Sequence, residues 1–291
     1  MTAAAVPAVR VDAFGLTDPG KVRPANEDHF GIAILRKAVE LRQCSITASQ
    51  VTERYSSPEA MVFVVADGVG GQPGGAFASE TAITTLVEYL SQAAGCYHNL
   101  DVTREHEFLA QLENSVQTAH QRLGGAEGKS HGPATTLTMA TLVWPRAYIV
   151  HVGDSRAYLF RDETLRQLTQ DHTVVAEMVR RGELDTDDAR RHRMRHVITN
   201  VVGGSHAGVH ADAHSLELHV GDELLLCSDG LTEMLSHEDM TQVLRSEPHL
   251  EAACRRLISL ANERGGRDNI TVIVARFSAS PPATGEAAGP P

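Results

Sequence analysis

Residues 136–169, TLTMATLVWPRAYIVHVGDSRAYLFRDETLRQLT, contain four apolar runs broken by two or three turn residues at a time. The breaks are Trp144-Pro145-Arg146, Gly153-Asp154-Ser155 and Asp162-Glu163. Connections this short leave no room for a crossover helix, so successive strands are expected to pair antiparallel. Upstream, 11–18, 28–35 and 61–67 read as further strands. Downstream, 209–220, 222–229 and 270–277 do the same. Apolar residues at three- and four-residue spacing predict helices over 76–92, 107–123, 173–181, 237–244 and 250–263, and Ser236 before His237-Glu238-Asp239 predicts an N-capped first turn. Many strands with helices grouped between them predict an α+β protein, a four-layer α-β-β-α sandwich of two antiparallel sheets flanked by helices.

One catalytic domain is expected over residues 10–277, with a loose N-terminal arm at 1–9 and a disordered Pro/Gly/Ala-rich tail at 278–291. Residues 37–60 and 93–106 are polar and aperiodic and read as surface loops. The chain has 291 residues, 42% of them hydrophobic, which supports a sizeable core. Its formal net charge of −11 argues against nucleic acid or an anionic membrane as the main partner. A phosphorylated substrate is still compatible, because bound divalent ions reverse the sign locally. Four scattered cysteines, Cys44, Cys96, Cys227 and Cys254, form neither a disulfide framework nor a zinc spacing, and Cys227 inside LLLCSD reads as a small core residue. A reducing cytoplasmic location follows as the expectation. No signal peptide is read at the N-terminus, and no membrane span is expected.

Four aspartates stand in distinctive contexts: Asp28 in RPANED, Asp67 in VVADGVGG, Asp229 in LLLCSDG and Asp268 in RDNITVIV. Three lie at the edge of an apolar run, where a lone carboxylate is costly to bury. No run of lysine or arginine is placed to meet all four. A pair of hard cations would, held by carboxylates that bridge ions roughly 3.5–4 Å apart. Asp67 suits the bridge, and the glycines after it let backbone approach a ligand, with the Gly68 carbonyl as a further donor. Each Asp-Gly taken alone also reads as an ordinary turn, and Asp268 as an Asx-turn or a partner for Arg267; four together point to metal. Arg23, five residues before Asp28, offers a planar donor fork for phosphate oxygens. Asp154 in HVGDSR reads either as part of a tight hairpin loop, paired with Arg156, or as a weaker ligand near the metals. Asp171-His172-Thr173 precedes a helix and reads as an Asp or Thr cap.

Eight blocks, in this order, resemble the metal-dependent protein phosphatases (PPM, the type 2C serine/threonine phosphatases), and most of all their compact bacterial members. They are GLTDPGKVRPANEDHF (15–30), VFVVADGVGGQPGG (62–75), GPATTLTMATL (132–142), HVGDSRAYLF (151–160), LTQDHT (168–173), RHVITNVVGG (195–204), LLLCSDGL (224–231) and RDNITVIV (267–274). The resemblance implies a β-sandwich flanked by helices and a binuclear Mn²⁺ or Mg²⁺ centre. It implies that Asp67 bridges both ions, that Asp229 and Asp268 complete one site, and that Asp28 and the Gly68 carbonyl serve the other. It assigns phosphate contact to Arg23, a third, weakly held ion to Asp154 with Asp229, and a flap beside the site to residues 174–196. Glu27 matches an acidic position of the family. One departure stands out: the family's histidine near the bridging aspartate is replaced here by Val69 and Gln72.

The implied activity is hydrolysis of phosphoserine and phosphothreonine on proteins by metal-activated water, without a covalent phospho-enzyme, so no cysteine is a nucleophile. The implied partners are phosphorylated proteins, namely Ser/Thr kinases and their substrates, and the chain is expected to act as a monomer. Two other readings are a non-catalytic phosphoprotein-binding scaffold on the same fold, and a metal-dependent hydrolase of small phosphate esters or nucleotides. A scaffold should have lost metal-binding aspartates; relative rates on phosphopeptide and free phosphoserine separate the second.

Overall fold

The computed structural model describes residues 9–35, 60–69, 74–92, 104–124, 132–189, 191–204 and 208–280. The first of two five-stranded antiparallel sheets has the order β1 (Val9–Asp18), β13 (Ile270–Ala279), β12 (Glu223–Cys227), β8 (Arg156–Arg161), β9 (Thr164–Gln167). The second has the order β11 (Asp212–Glu217), β7 (Arg146–Val152), β6 (Leu137–Val143), β3 (Ala60–Ala66), β2 (His29–Leu35). A small third sheet joins β10 (Val202–Gly203), β5 (Ala134–Thr135) and β4 (Gly68–Val69).

The large sheets face each other, and alternation along each strand divides the core into three layers. From β3, Met61, Phe63 and Val65 point between the sheets, where they meet Leu224 and Leu226 of β12 and Ile273 of β13. Val62, Val64 and Ala66 point outward onto α1 (Gly74–Gln92) and α2 (Glu105–Leu123), meeting Ala82, Leu86 and Leu112. On the other side Leu225, Cys227, Val272 and Val274 pack under α6 (His237–Ser246) and α7 (Leu250–Glu263). Because helices cover both outer faces, these strands read as unbroken apolar runs rather than as an apolar/polar alternation. Four layers, helix on sheet on sheet on helix, are what the strand and helix pattern predicted.

Local signals also carry through. The 144–146 and 162–163 turns close antiparallel pairs β6/β7 and β8/β9. Ser236 and Asp239 form a capping box at the start of α6. Thr173 caps α3 (Val174–Arg180) by accepting from the Ala176 amide.

Four expectations need correction. First, Gly153-Asp154-Ser155 is not a hairpin: β7 and β8 lie in different sheets, so the chain crosses the sandwich there. Gly153 has φ +108°, and a Cβ on it would lie 2.6 Å from Thr136, so the backbone turns tightly against β6 in a way open only to glycine. Second, Asp229-Gly230 is not a plain turn but opens a one-turn helix, α5 (Asp229–Thr232). Third, Arg156 pairs with Asp171, through contacts of 2.6–3.1 Å, and not with Asp154. Fourth, Val9 is strand and pairs with Ala279, so the first and last strands take in residues assigned to the terminal arms, because each end satisfies the other's backbone groups. The rest of both arms, residues 37–59 and 93–103 of the inserts, Cys44, Cys96 and Gln72 lie outside the described residues. Of the inserts' remaining residues, Ala60 opens β3 and residues 105–106 begin α2. No described helix is long and apolar enough to cross a membrane.

Candidate metal centre

Strand register brings the acidic residues to one end of the sandwich. His29 faces Ala66 across β2/β3, so Asp28 and Asp67 stand side by side just past the last pair. Cys227 faces Val272 across β12/β13, which places Asp229 beyond the end of one strand and Asp268 before the start of the other. Asp154 occupies the crossing between the sheets at the same end.

Asp28 is only 3% exposed. Its Oδ2 accepts from the Ser228 and Thr271 hydroxyls, each at 2.7 Å, and both donors belong to the opposite sheet. Its Oδ1 is buried without a partner. The carboxyls of Asp28 and Asp67 are also hydrogen-bonded to each other, which requires a proton between them when no cation is bound. The backbone of Asp67 is clamped: its carbonyl accepts from the Thr136 amide and the Thr135 hydroxyl, and its amide donates to Thr136 Oγ1. That leaves its carboxylate facing the cluster. Gly68 follows in β4, paired with Thr135; a Cβ there would come within 2.5 Å of the Gly75 carbonyl, so only glycine lets this strand end meet the start of α1.

Asp154 and Asp229 each bury an Oδ1 with no hydrogen-bond partner. Asp268 accepts from the amide of Asn269 and, at 2.6 Å, from Arg23 Nη2. Asn269 in turn donates to the carbonyls of Pro19 and Ala25 and accepts from the Glu27 amide, which fastens the loop carrying Arg23 and Asp28 to the start of β13.

The electrostatics follow from burial and crowding. Burial, then the charges of Asp28 and Asp229, pushes the Asp67 carboxyl well above the usual range. Burial, then Asp154 and Glu233, does the same to Asp229. Asp28 is raised to about 6 and Asp154 to about 7, each chiefly by desolvation. The hydrogen bond to Asp268 raises the Arg23 guanidinium. Crowded carboxylates with oxygens left unpartnered form an all-oxygen donor set, and that set fits hard divalent cations such as Mg²⁺ and Mn²⁺.

A cavity of about 320 Å³ opens over the cluster and is lined by Arg23, Glu27, Gly68, Asp154, Asp229 and Asp268 among others. All the sequence-derived site residues are thus brought together, Asp28 and Asp67 directly beneath the cavity. Val69 lines the cavity and offers no proton. Glu27 lies over Gly75 at the start of α1.

Sequence reasoning missed four contributors. Ser228 and Thr271 hold Asp28 from 200 and 243 residues away, beyond any local signal. Glu233 follows Asp229 by four residues, a same-face spacing that becomes visible only if 229–232 is read as helix. His196, from the 174–196 segment, also lines the cavity.

The sequence pattern of protein phosphatase 2C matches residues 52–271. Protein phosphatase PhpP of Streptococcus pneumoniae is 36% identical over 265 residues, covering 90% of this chain and 96% of that protein. The crystal structure of the Mycobacterium tuberculosis serine/threonine phosphatase PstP/Ppp superposes with a TM-score of 0.72 at 30% identity, over 92% of this chain and 99% of that one. A structure of the catalytic domain of the serine/threonine protein phosphatase PstP in complex with two manganese ions gives 0.67 at 26% identity, over 93% and 100%.

Proposed function

Because the chain belongs to the protein phosphatase 2C family, and is thereby a metal-dependent serine/threonine phosphatase, we propose that its five clustered aspartates hold a binuclear Mn²⁺ or Mg²⁺ centre. Asp67 bridges the two ions in this reading. Asp229 and Asp268 complete one site; Asp28 and the Gly68 carbonyl complete the other. Asp154, with Asp229, serves a third, weaker ion. The observation that carries this is the convergence of carboxylates from both sheets on one cavity, three of them with a buried oxygen that nothing else satisfies.

When bound, such ions lower the pKa of water enough to supply a nucleophile near neutral pH and neutralise phosphoryl charge. The chain's own residues supply position. Ser228 and Thr271 fix the rotation of Asp28 from across the sandwich. Thr135 and Thr136 hold Asp67 through its backbone. Arg23, half exposed and poised beside Asp268, turns its guanidinium to the outer phosphate oxygens of the substrate. A cysteine nucleophile is disfavoured: burial raises the Cys227 and Cys254 thiols to about 12. The scaffold reading expects lost ligands, and every expected aspartate is present.

The substrates on this reading are phosphorylated proteins, among them Ser/Thr kinases and their targets, met by a cytoplasmic monomer whose catalytic domain spans about residues 10–277. The test is to strip the protein with EDTA, titrate with Mn²⁺ and follow turnover of a phosphothreonine peptide against free phosphoserine. Turnover should rise with Mn²⁺ and favour the peptide, and Asp67→Asn should lose metal and activity together. Near-normal Mn²⁺-dependent turnover in Asp67→Asn rejects the bridging role, and a preference for the free amino acid rejects the protein substrate.

A further inference from the structure

The flap segment contributes a donor that an all-oxygen centre does not use. His196 Nδ1 pairs with Glu233 Oε1. One ligand atom each from His196, Asp229 and Glu233 lie within 4.8 Å of one another. Behind them stands Asp154, 7% exposed, whose Oδ1 has no partner and whose carboxyl feels the charge of Glu233. All four residues line both the catalytic cavity and a second cavity of about 610 Å³ that runs between the flap and the α5–α6 region. His196 and Glu233 therefore sit on the boundary between the two spaces. The backbone around His196 is hooked to the neighbouring scaffold: the Val174 amide donates to Val197 O, the Thr199 amide donates to His172 O, and Ile198 bridges Thr173.

Imidazole together with carboxylates is a donor set for borderline cations, Zn²⁺ above all, rather than for Mg²⁺. Tetrahedral Zn²⁺ binds nitrogen and oxygen at about 2.0–2.2 Å, so its ligand atoms come roughly 3.3–3.5 Å apart. The present spread closes to that with side-chain rotation alone, since the His196 and Glu233 side chains are 45% and 21% exposed. We propose that His196, Asp229 and Glu233, with Asp154 behind them, form a mixed nitrogen–oxygen site for a borderline divalent cation such as Zn²⁺, and that filling it pins the flap to α5. The inference rests on the reading of Asp229 as a ligand of the phosphatase centre, which it shares. Its consequence is regulatory: a pinned flap closes the wall between the two cavities, so Zn²⁺ acts as a brake distinct from the activating Mn²⁺.

Metal-free full-length protein titrated with Zn²⁺ by calorimetry, as wild type, His196→Ala and Glu233→Gln, tests this. Both variants should lose one equivalent of bound Zn²⁺ or weaken that step by roughly tenfold or more, since even residues behind a metal's ligands are worth 10–100-fold in affinity. Bound Co²⁺ should show visible absorption of nitrogen ligation that disappears in His196→Ala. Trypsin reports the pinning, because Arg193 and Arg195 are exposed in the flap: Zn²⁺ should slow cleavage there in wild type and not in His196→Ala. Equal Zn²⁺ stoichiometry and affinity in wild type and both variants overturns the site, and equal tryptic protection overturns the pinning. Mn²⁺-dependent turnover of a phosphothreonine peptide by the wild-type preparation reports on the phosphatase reading separately.

Discussion

Replacing Asp28 with asparagine isolates the electrostatic cost of the metal-free cluster. Burial lifts this carboxyl from 3.8 to about 6 in the folded protein. The folded state therefore holds the proton more tightly than the unfolded chain, and the stability this contributes is lost as pH rises through about 6. At pH 7.5 the ionised group costs the metal-free fold on the order of 3 kcal/mol, from roughly two pK units at 1.36 kcal/mol each. Asparagine keeps an oxygen for the Ser228 and Thr271 hydroxyls and presents an amide to Asp67, but carries no charge. In EDTA at pH 7.5 the variant should be more stable than wild type by up to about 3 kcal/mol, a rise in Tm of roughly 6–12 °C. At pH 5 the folded carboxyl is mostly protonated, and the difference should shrink by about half. Adding Mn²⁺ should reverse the order, because stabilisation by a ligand scales with its affinity and the variant has lost a donor. Thermal melts at two pH values, with EDTA and with Mn²⁺, read all of this. A variant less stable than wild type in EDTA at pH 7.5, or a difference unchanged at pH 5, refutes the reasoning.

Three further outcomes are expected. Burial holds the His151 imidazole down to about 4, so the fold prefers it neutral; stability tied to this residue is full above pH 6.5 and is lost as pH falls from 6.5 to 4, by on the order of 3 kcal/mol. Urea melts should then show a smaller drop between pH 7 and pH 4.5 for His151→Asn than for wild type. Arg23→Ala should raise KM for a phosphopeptide by roughly tenfold or more, the value of a charge-assisted hydrogen bond, with a smaller change in kcat; an unchanged KM removes the phosphate role. Phe108→Ala should cost about 3–5 kcal/mol in urea unfolding, since the ring is fully buried and stacks edge-on against Tyr148 at 4.7 Å.

How much of this was legible depends on the distance over which each signal acts. The capping box at Ser236 and Asp239 is a four-residue pattern, and it was readable as such. So were strands with both faces covered, whose apolar runs survive without alternation. The two-residue strands β4, β5 and β10 were not readable, because a period cannot be seen in two residues. The clamp on Asp28 was not readable either, because its donors are set by which strands of opposite sheets come to lie over one another.

The crossing at Gly153-Asp154-Ser155 shows why a local reading fails at the point the site most depends on. A short polar turn looks the same whether the chain folds back on its own sheet or steps to the next. What distinguishes them here is a buried polar seam. Ser155 bonds to Thr136 through its hydroxyl and accepts from Thr138 through its carbonyl, and Gly153 donates to His172. Within either sheet, antiparallel pairing alone brings the aspartates into pairs: β2 starts where β3 ends, and β13 starts where β12 ends. Pairing cannot say that those two ends belong together. The crossing does, because Val152 at the end of β7 faces Leu137 of β6, which lies beside the end of β3, while Arg156 at the start of β8 faces Cys227 at the end of β12. Three residues join the two halves of the acidic cluster at a single end of the sandwich, and Asp154 sits in the joint.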